Sequence, residues 1–130
     1  MSAVAYDYAL LRVVPRVHLG DGETVAAVLH ARRAGYLGVA LAADPDAVAA
    51  RWASLDAALL ARYLDAFAGV LGGGVEVGPI GLLPASERFH WATATRSTVL
   101  QPGPVRTGAD AVPAEALRRL AADAGLVMRE

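Results

Sequence analysis

The chain has 130 residues, of which 55% are hydrophobic and 19% charged, with a net charge of −1 and no cysteine. That is enough apolar material for one buried core and too little charge for a disordered chain. It excludes disulfides, thiol catalysis, zinc fingers and cysteine-ligated iron–sulfur clusters, and its near-neutral balance disfavours a nucleic-acid binder. All twelve basic residues are arginine. The absence of lysine removes Schiff-base and Ser–Lys chemistry and the Walker-type phosphate loop, despite Gly72-Gly73-Gly74. No apolar run approaches the roughly 20 residues of a membrane helix. The start, MSAVAYDYALL, lacks the charged n-region of a secretory signal. The expectation is a single cytoplasmic domain over residues 1–130.

In chain order, Ala5 to Val14 alternate as a strand, with Tyr6, Tyr8, Leu10, Arg12 and Val14 on one face and Asp7, Ala9, Leu11 and Val13 on the other. Pro15, having no N–H to donate, is expected to stop the ladder. Arg12 on the apolar face is either a snorkelling strand-end arginine or a cation aimed at a ligand. His18 to Glu23 read as a turn. Thr24–His30 and Tyr36–Leu41, joined by Ala31–Gly35, read as a hairpin with Arg32 and Arg33 at a solvated tip.

Asp44-Pro45 is a helix start. From there Val48, Trp52, Leu55, Leu59, Tyr63, Phe67 and Val70 recur at spacings of three and four, which predicts one helix running to about Leu71 with that stripe buried. The glycine triplet ends it. Val75 to Pro84 reads as an extended crossing segment, and Arg96 to Gln101 as one more strand. The last element is a helix from Pro113 to Ala124, with Ala116, Leu117, Leu120 and Ala124 inward and Gly125 beyond its end. The fold class that follows is α+β: a mainly antiparallel sheet of about four strands with two helices packed on one face.

The unusual chemistry lies in RFHWATATRSTVLQPGPVRTG, Arg88 to Gly108. Guanidinium groups grip carboxylate or phosphate as a planar fork, and neighbouring hydroxyls add donors. The candidate binding residues are therefore Arg12, Arg16, Arg88, Arg96 and Arg106 with Ser97 and Thr98, together with His90 and Trp91. The alternative for the arginines is structural pairing with Asp7, Glu87 and nearby carbonyls. Phe89 and Trp91 are core, a protein-contact patch or a stacking pair on a sheet face. Read as a strand residue, His90 points away from both. His18, His30 and His90 form no H-x-x-x-H, H-x-H or H-E-x-x-H arrangement, and no G-x-S-x-G elbow exists, so no metal, cofactor or catalytic residue is assigned.

Two strings, YDYALLRVVPR at Tyr6–Arg16 and SERFHWATATRSTVLQPGPVRTG at Ser86–Gly108, resemble a small bacterial family known as domain of unknown function 3037. Its pattern is Y-x-Y-A-x-x-R-x-x-P-R, followed later by R-F-x-W-x-x-x-x-R-S-T-x-x-Q-x-x-P-x-x-T-G. Two positions depart from it. Thr24-Val25-Ala26 stand where relatives have Asn-Val-Gly, and Arg106 stands where they often carry histidine. The resemblance implies a fold unit without a reaction. It also implies a protein partner, since such proteins are often encoded beside kinase-like proteins of the toxin–antitoxin type. The functional expectation is a non-catalytic binding or accessory module in a complex or homo-oligomer, with an arginine- and hydroxyl-rich surface for an anionic ligand or partner. The alternative is a small enzyme acting on a phosphate-bearing substrate through the Arg88–Gly108 segment with His90.

Overall fold

A thirteen-residue strand, β1 (Val4–Arg16), is the axis of the computed structural model, which describes residues 2–16, 21–52, 55–74, 78–94 and 100–129. One edge of β1 pairs antiparallel with β2 (Asp21–Ala31). The other edge is shared by two short strands, β4 (Leu100–Pro102) at Leu11–Val13 and β5 (Arg106–Asp110) at Val4–Tyr8. Gly103, between them, donates its N–H to the Leu10 carbonyl at 2.8 Å, so the Gln101–Pro104 stretch still follows β1. β3 (Tyr36–Leu41) completes an antiparallel sheet of five strands by pairing with β2.

The hairpin turns through a 3₁₀ turn at Arg32–Ala34 closed by Gly35, whose φ of 63° suits glycine. β2 starts earlier than the sequence pattern implies: Asp21, Gly22 and Glu23 belong to the ladder, while residues 18–20 of the expected turn lie outside the described residues. A register shift opposite Leu11 and Arg12 makes Val25 the extra residue of a β-bulge. Pro15 does not end β1, because Arg16 still pairs with Asp21.

The expected long helix is two helices, α1 (Pro45–Ala50) and α2 (Ala57–Gly72). Asp44 caps the first as its residue type predicts, accepting from the Ala47 N–H at 3.1 Å. Asp56 then caps the second, accepting from the Leu59 N–H at 3.1 Å. This restart changes the helical phase. The buried stripe of α2 is Leu60, Leu64, Phe67, Val70 and Leu71. Leu59 and Tyr63, expected inside, are 39% and 41% exposed.

The segment after Pro84 is also helical. α3 (Ala85–Thr93) carries Phe89 and Ala92 inward, three residues apart, so the aromatic pair is on a helix and not on a sheet face. Of the expected extended segment 75–84, residues 75–77 lie outside the described residues and Pro79–Leu82 is a 3₁₀ turn. In the expected strand at 96–101, only Leu100 and Gln101 are described, both in β4. β5 escapes a periodicity reading because Arg-Thr-Gly-Ala-Asp has no apolar alternation. α4 (Pro113–Asp123) lies where the sequence puts it, with Ala116, Leu117 and Ala121 buried.

Every residue of β2 from Val25 to Ala31 is buried, so both faces of the sheet's interior are covered. His30, on the face it shares with Asp7, packs its ring on Phe89 of α3 at 5.7 Å. Phe67 of α2 packs on Trp91 of α3 at 5.3 Å, so α2 lies on that face too. α4 covers the opposite face. Arg119 of α4 bonds Tyr6, which alternates with Asp7, and pairs with Asp110 of β5 at 2.8 Å. The α+β class and antiparallel sheet are as expected; the sheet has five strands, and two of its helices share one face while α4 takes the other. No helix among the described residues is long and apolar enough to cross a membrane.

The rephased helix gives a direct check. Leu64 is fully buried, and Leu64→Ala should cost about 2–5 kcal/mol in urea melts. Leu59→Ala should cost no more than about 1 kcal/mol, as for a surface substitution.

Candidate functional site

Arg88 has a structural geometry. It projects from α3 under the end of α2, where the last-turn carbonyls have no intrahelical donors. Its Nη1 donates to the Leu71 carbonyl at 2.6 Å and the Val70 carbonyl at 3.4 Å, and its Nε donates to the Leu83 carbonyl at 2.9 Å. Gly73, at a φ of 77°, leaves the room for this: a Cβ there would sit 3.1 Å from the Arg88 Nη1. The glycine stretch and Arg88 are thus two halves of one helix cap. Of the alternatives weighed for this arginine, the brace to neighbouring carbonyls is the one observed.

The other expected site residues are dispersed. Arg12 is exposed, and its Nη2 donates to the Gly22 carbonyl across the ladder at 3.0 Å. Arg106 is exposed in β5 opposite Tyr8. Arg12 and Tyr8 are four residues apart on one strand, roughly 13 Å, and Arg12 is turned to Gly22 of β2, away from the β5 edge that carries Arg106. His90 is exposed on α3, and Trp91 is half-buried against Phe67. Arg16 lies in β1 opposite Asp21. Arg96, Ser97 and Thr98 lie outside the described residues, and with them the centre of the expected cationic site.

A different set of residues converges. At the end of the sheet where β2 turns into β3, a cavity of about 250 Å³ is lined by Ala5, Tyr6, Asp7, His30, Arg32, Arg33 and Thr107. Strand register builds its floor: His30 pairs with Asp7, and Asp7 with Thr107, so the three form a row across β2, β1 and β5 on one face. The 3₁₀ turn raises Arg32 and Arg33 beside that row. Both are exposed, as the hairpin-tip reading expects, and neither guanidinium is bonded to a described residue.

His30 is the buried polar side chain of the described core, at 7% exposure. Burial holds its pKa below the usual 6.5, and the guanidinium groups of Arg32 and Arg88 push the same way, against the carboxylate of Asp7. The sequence reading singled out His90 and passed over His30. The available signal was His30 standing two residues before an arginine pair, at the end of an apolar strand.

A second polar cluster is structural. Glu23, beside the bulge, accepts from Arg51 Nε and Nη2 and from Trp52 Nε1, each at 2.8 Å. The Arg51 fork lowers its pKa from the usual 4.5, with the Trp52 bond adding to that and burial opposing it. This joins β2 to the end of α1.

Two predictions follow from these assignments. Because the folded-state pKa of His30 is depressed, the unfolded chain takes up its proton first as pH falls. Its contribution is therefore complete above about 6.5 and is lost as pH drops through that value. Stability should decline as pH falls below about 6.5, above the range in which Glu23 titrates, and His30→Leu should flatten that decline in denaturant melts. For Arg88, the Arg88→Ala chain leaves carbonyls at the end of α2 unsatisfied and should lose about 1–3 kcal/mol. Arg88→Lys should recover only part of it, since an ammonium cannot reproduce the fork that serves Leu71 and Leu83 together.

The model of one protein family, described as protein of unknown function (DUF3037), matches residues 8–124. No curated protein and no solved structure matches the chain. The match spans β1 through α4 and includes the paired strands, the Arg88 cap and most of the cavity lining, and on that extent the chain belongs to the DUF3037 family.

Proposed function

We propose that the chain is a non-catalytic binding module that holds an anionic group of a partner protein at the cavity rimmed by Arg32 and Arg33. The observation that carries this reading is the pair of exposed guanidinium groups, bonded to no described residue, beside a concave floor. Four other arginines are consumed by structure: Arg88 caps α2, and Arg51, Arg119 and Arg129 pair with Glu23, Asp110 and Asp65. Arg32 and Arg33 have no such acceptor among the described residues, and Thr107 offers a hydroxyl beside them.

Two guanidinium groups against the single carboxylate of Asp7 leave the cavity net positive while His30 is neutral. A phosphate or carboxylate entering it would gain charge-assisted bonds of about 1.5–3 kcal/mol each. Thr107 closes the family-like Arg88–Gly108 stretch, so this reading keeps one end of that stretch in the surface and moves its centre to the hairpin tip. A cytoplasmic site of action suits a chain without cysteine.

The test is a titration with inorganic phosphate followed by backbone amide shifts. Saturable shifts at Arg32, Arg33 and Thr107 are expected. The Arg32→Ala, Arg33→Ala double variant should bind at least about tenfold more weakly, the loss of roughly one fork, with an unchanged melting temperature. Shifts that stay linear in phosphate, or that persist in the double variant, overturn the reading.

A further inference from the structure

The outer edge of β3 is only partly paired. After α4 the chain returns, and Met128 forms an antiparallel bridge with Ala42. The Arg129 N–H donates to the Leu41 carbonyl at 2.8 Å, and the Ala43 N–H to the Val127 carbonyl at 2.8 Å. These bonds fix which backbone groups face outward. The Leu41 carbonyl points away from β2, so by strand alternation Val39 and Leu37 also aim their N–H and C=O groups outward. No described strand pairs with them.

Beside this free edge is a groove of about 560 Å³ between β3 and α4, lined by Tyr36, Val39, Ala40, Leu117, Arg118 and Met128 among others. The Tyr36 ring lies across Gly38, where any Cβ would collide with it, and so forms part of the floor. Arg129, also in the lining, is already bonded to Asp65 at 3.0 Å and to the Ala42 carbonyl. Arg118 is exposed and bonded to no described residue. No carboxylate is among the described residues of the lining. Arg32 and Arg33 lie just ahead of the strand's start.

We infer that this edge takes an acidic, extended segment of a partner protein by strand addition. The segment would pair with the outward groups of Leu37 and Val39 in line with Val127–Arg129. Its alternate side chains would enter the groove, an apolar one against Tyr36, Leu117 and Met128 and a carboxylate on Arg118. Charge complementarity selects this occupant. The described lining offers the cations of Arg118 and Arg129 and no described anion, and a second copy of the chain would bring those two arginines against their own kind. This inference does not depend on the anion cavity at Thr107, which opens on the face carrying α2 and α3.

The test uses two synthetic hexapeptides, one alternating glutamate with valine and one alternating lysine with valine, and reads amide exchange at Leu37 and Val39. The glutamate peptide should slow exchange at both and bind at least about tenfold more tightly than the lysine peptide. Arg118→Glu should reverse that preference. Val39→Pro removes an outward N–H without removing a bond to β2, so it should lose binding while keeping the fold. Should that variant fail to fold, Arg118→Glu alone decides the matter. Absent protection, equal affinity for the two peptides, or self-association that protects the same amides overturns the inference. The Arg32→Ala, Arg33→Ala variant separates the two sites: it should lose phosphate binding and keep protection of Leu37 and Val39 by the peptide.

Discussion

The structure depends on β2 being buried on both faces. A strand with one solvated face alternates apolar and polar residues; Thr-Val-Ala-Ala-Val-Leu-His-Ala does not. Its three alanines allow close cover, and the chain supplies it with α2 and α3 on one side and α4 on the other. Burying His30 in that run is the one polar cost. Its ring meets Phe89, and it stands at the strand's end where Asp7 and solvent are near. With both faces of β2 taken, the centre of the sheet is closed to a ligand. What remains are the ends of strands and the outer edges.

The Arg-Phe-x-Trp part of the family-like segment is accounted for by this packing. Arg88 closes the last turn of α2, Phe89 enters the core beneath it, and Trp91 packs on Phe67. Three residues of one helix thus fix the end and the tilt of another. The glycine that makes room for the guanidinium comes from a stretch fifteen residues earlier in the chain.

Much of this was legible in the sequence, and the failures have specific causes. The first strand, the hairpin and α4 follow their apolar periods because each buries a simple pattern. The second cap at Asp56 was as visible as the one at Asp44, but the apolar spacing ran on through Trp52 and Leu55 and hid the break. Both residues still pack against the core, outside any helix, so the spacing was genuine and its phase wrong. α3 was hidden by an aromatic-x-aromatic pair that mimics a strand. β5 was illegible because its stability comes from lying along β1 and not from its own side chains. The candidate site was the least legible. Whether an arginine is a brace or a contact depends on which carbonyl or carboxylate the fold brings to it, and Arg88 and Arg32 have the same local chemistry in the chain.

The free edge of β3 is small for a physical reason. Exposed edges invite uncontrolled pairing, and short strands and local cover limit it. β3 has six residues, its far end is taken by Val127–Arg129, and its near end turns into the 3₁₀ segment. Two residues with outward groups are left. A ladder that short offers at most a few backbone bonds of about 0.5–1.5 kcal/mol each, which cannot select a partner from other extended chains. Selection therefore falls to side chains in the adjoining groove, where one unpaired guanidinium faces an apolar floor. The same logic holds at the other end of the hairpin, where Arg32 and Arg33 rim a cavity whose floor is set by strand register. In both places the cation stands on an element that leaves the ladder, Arg32 and Arg33 on the 3₁₀ turn and Arg118 on α4, beside a surface that strand register sets.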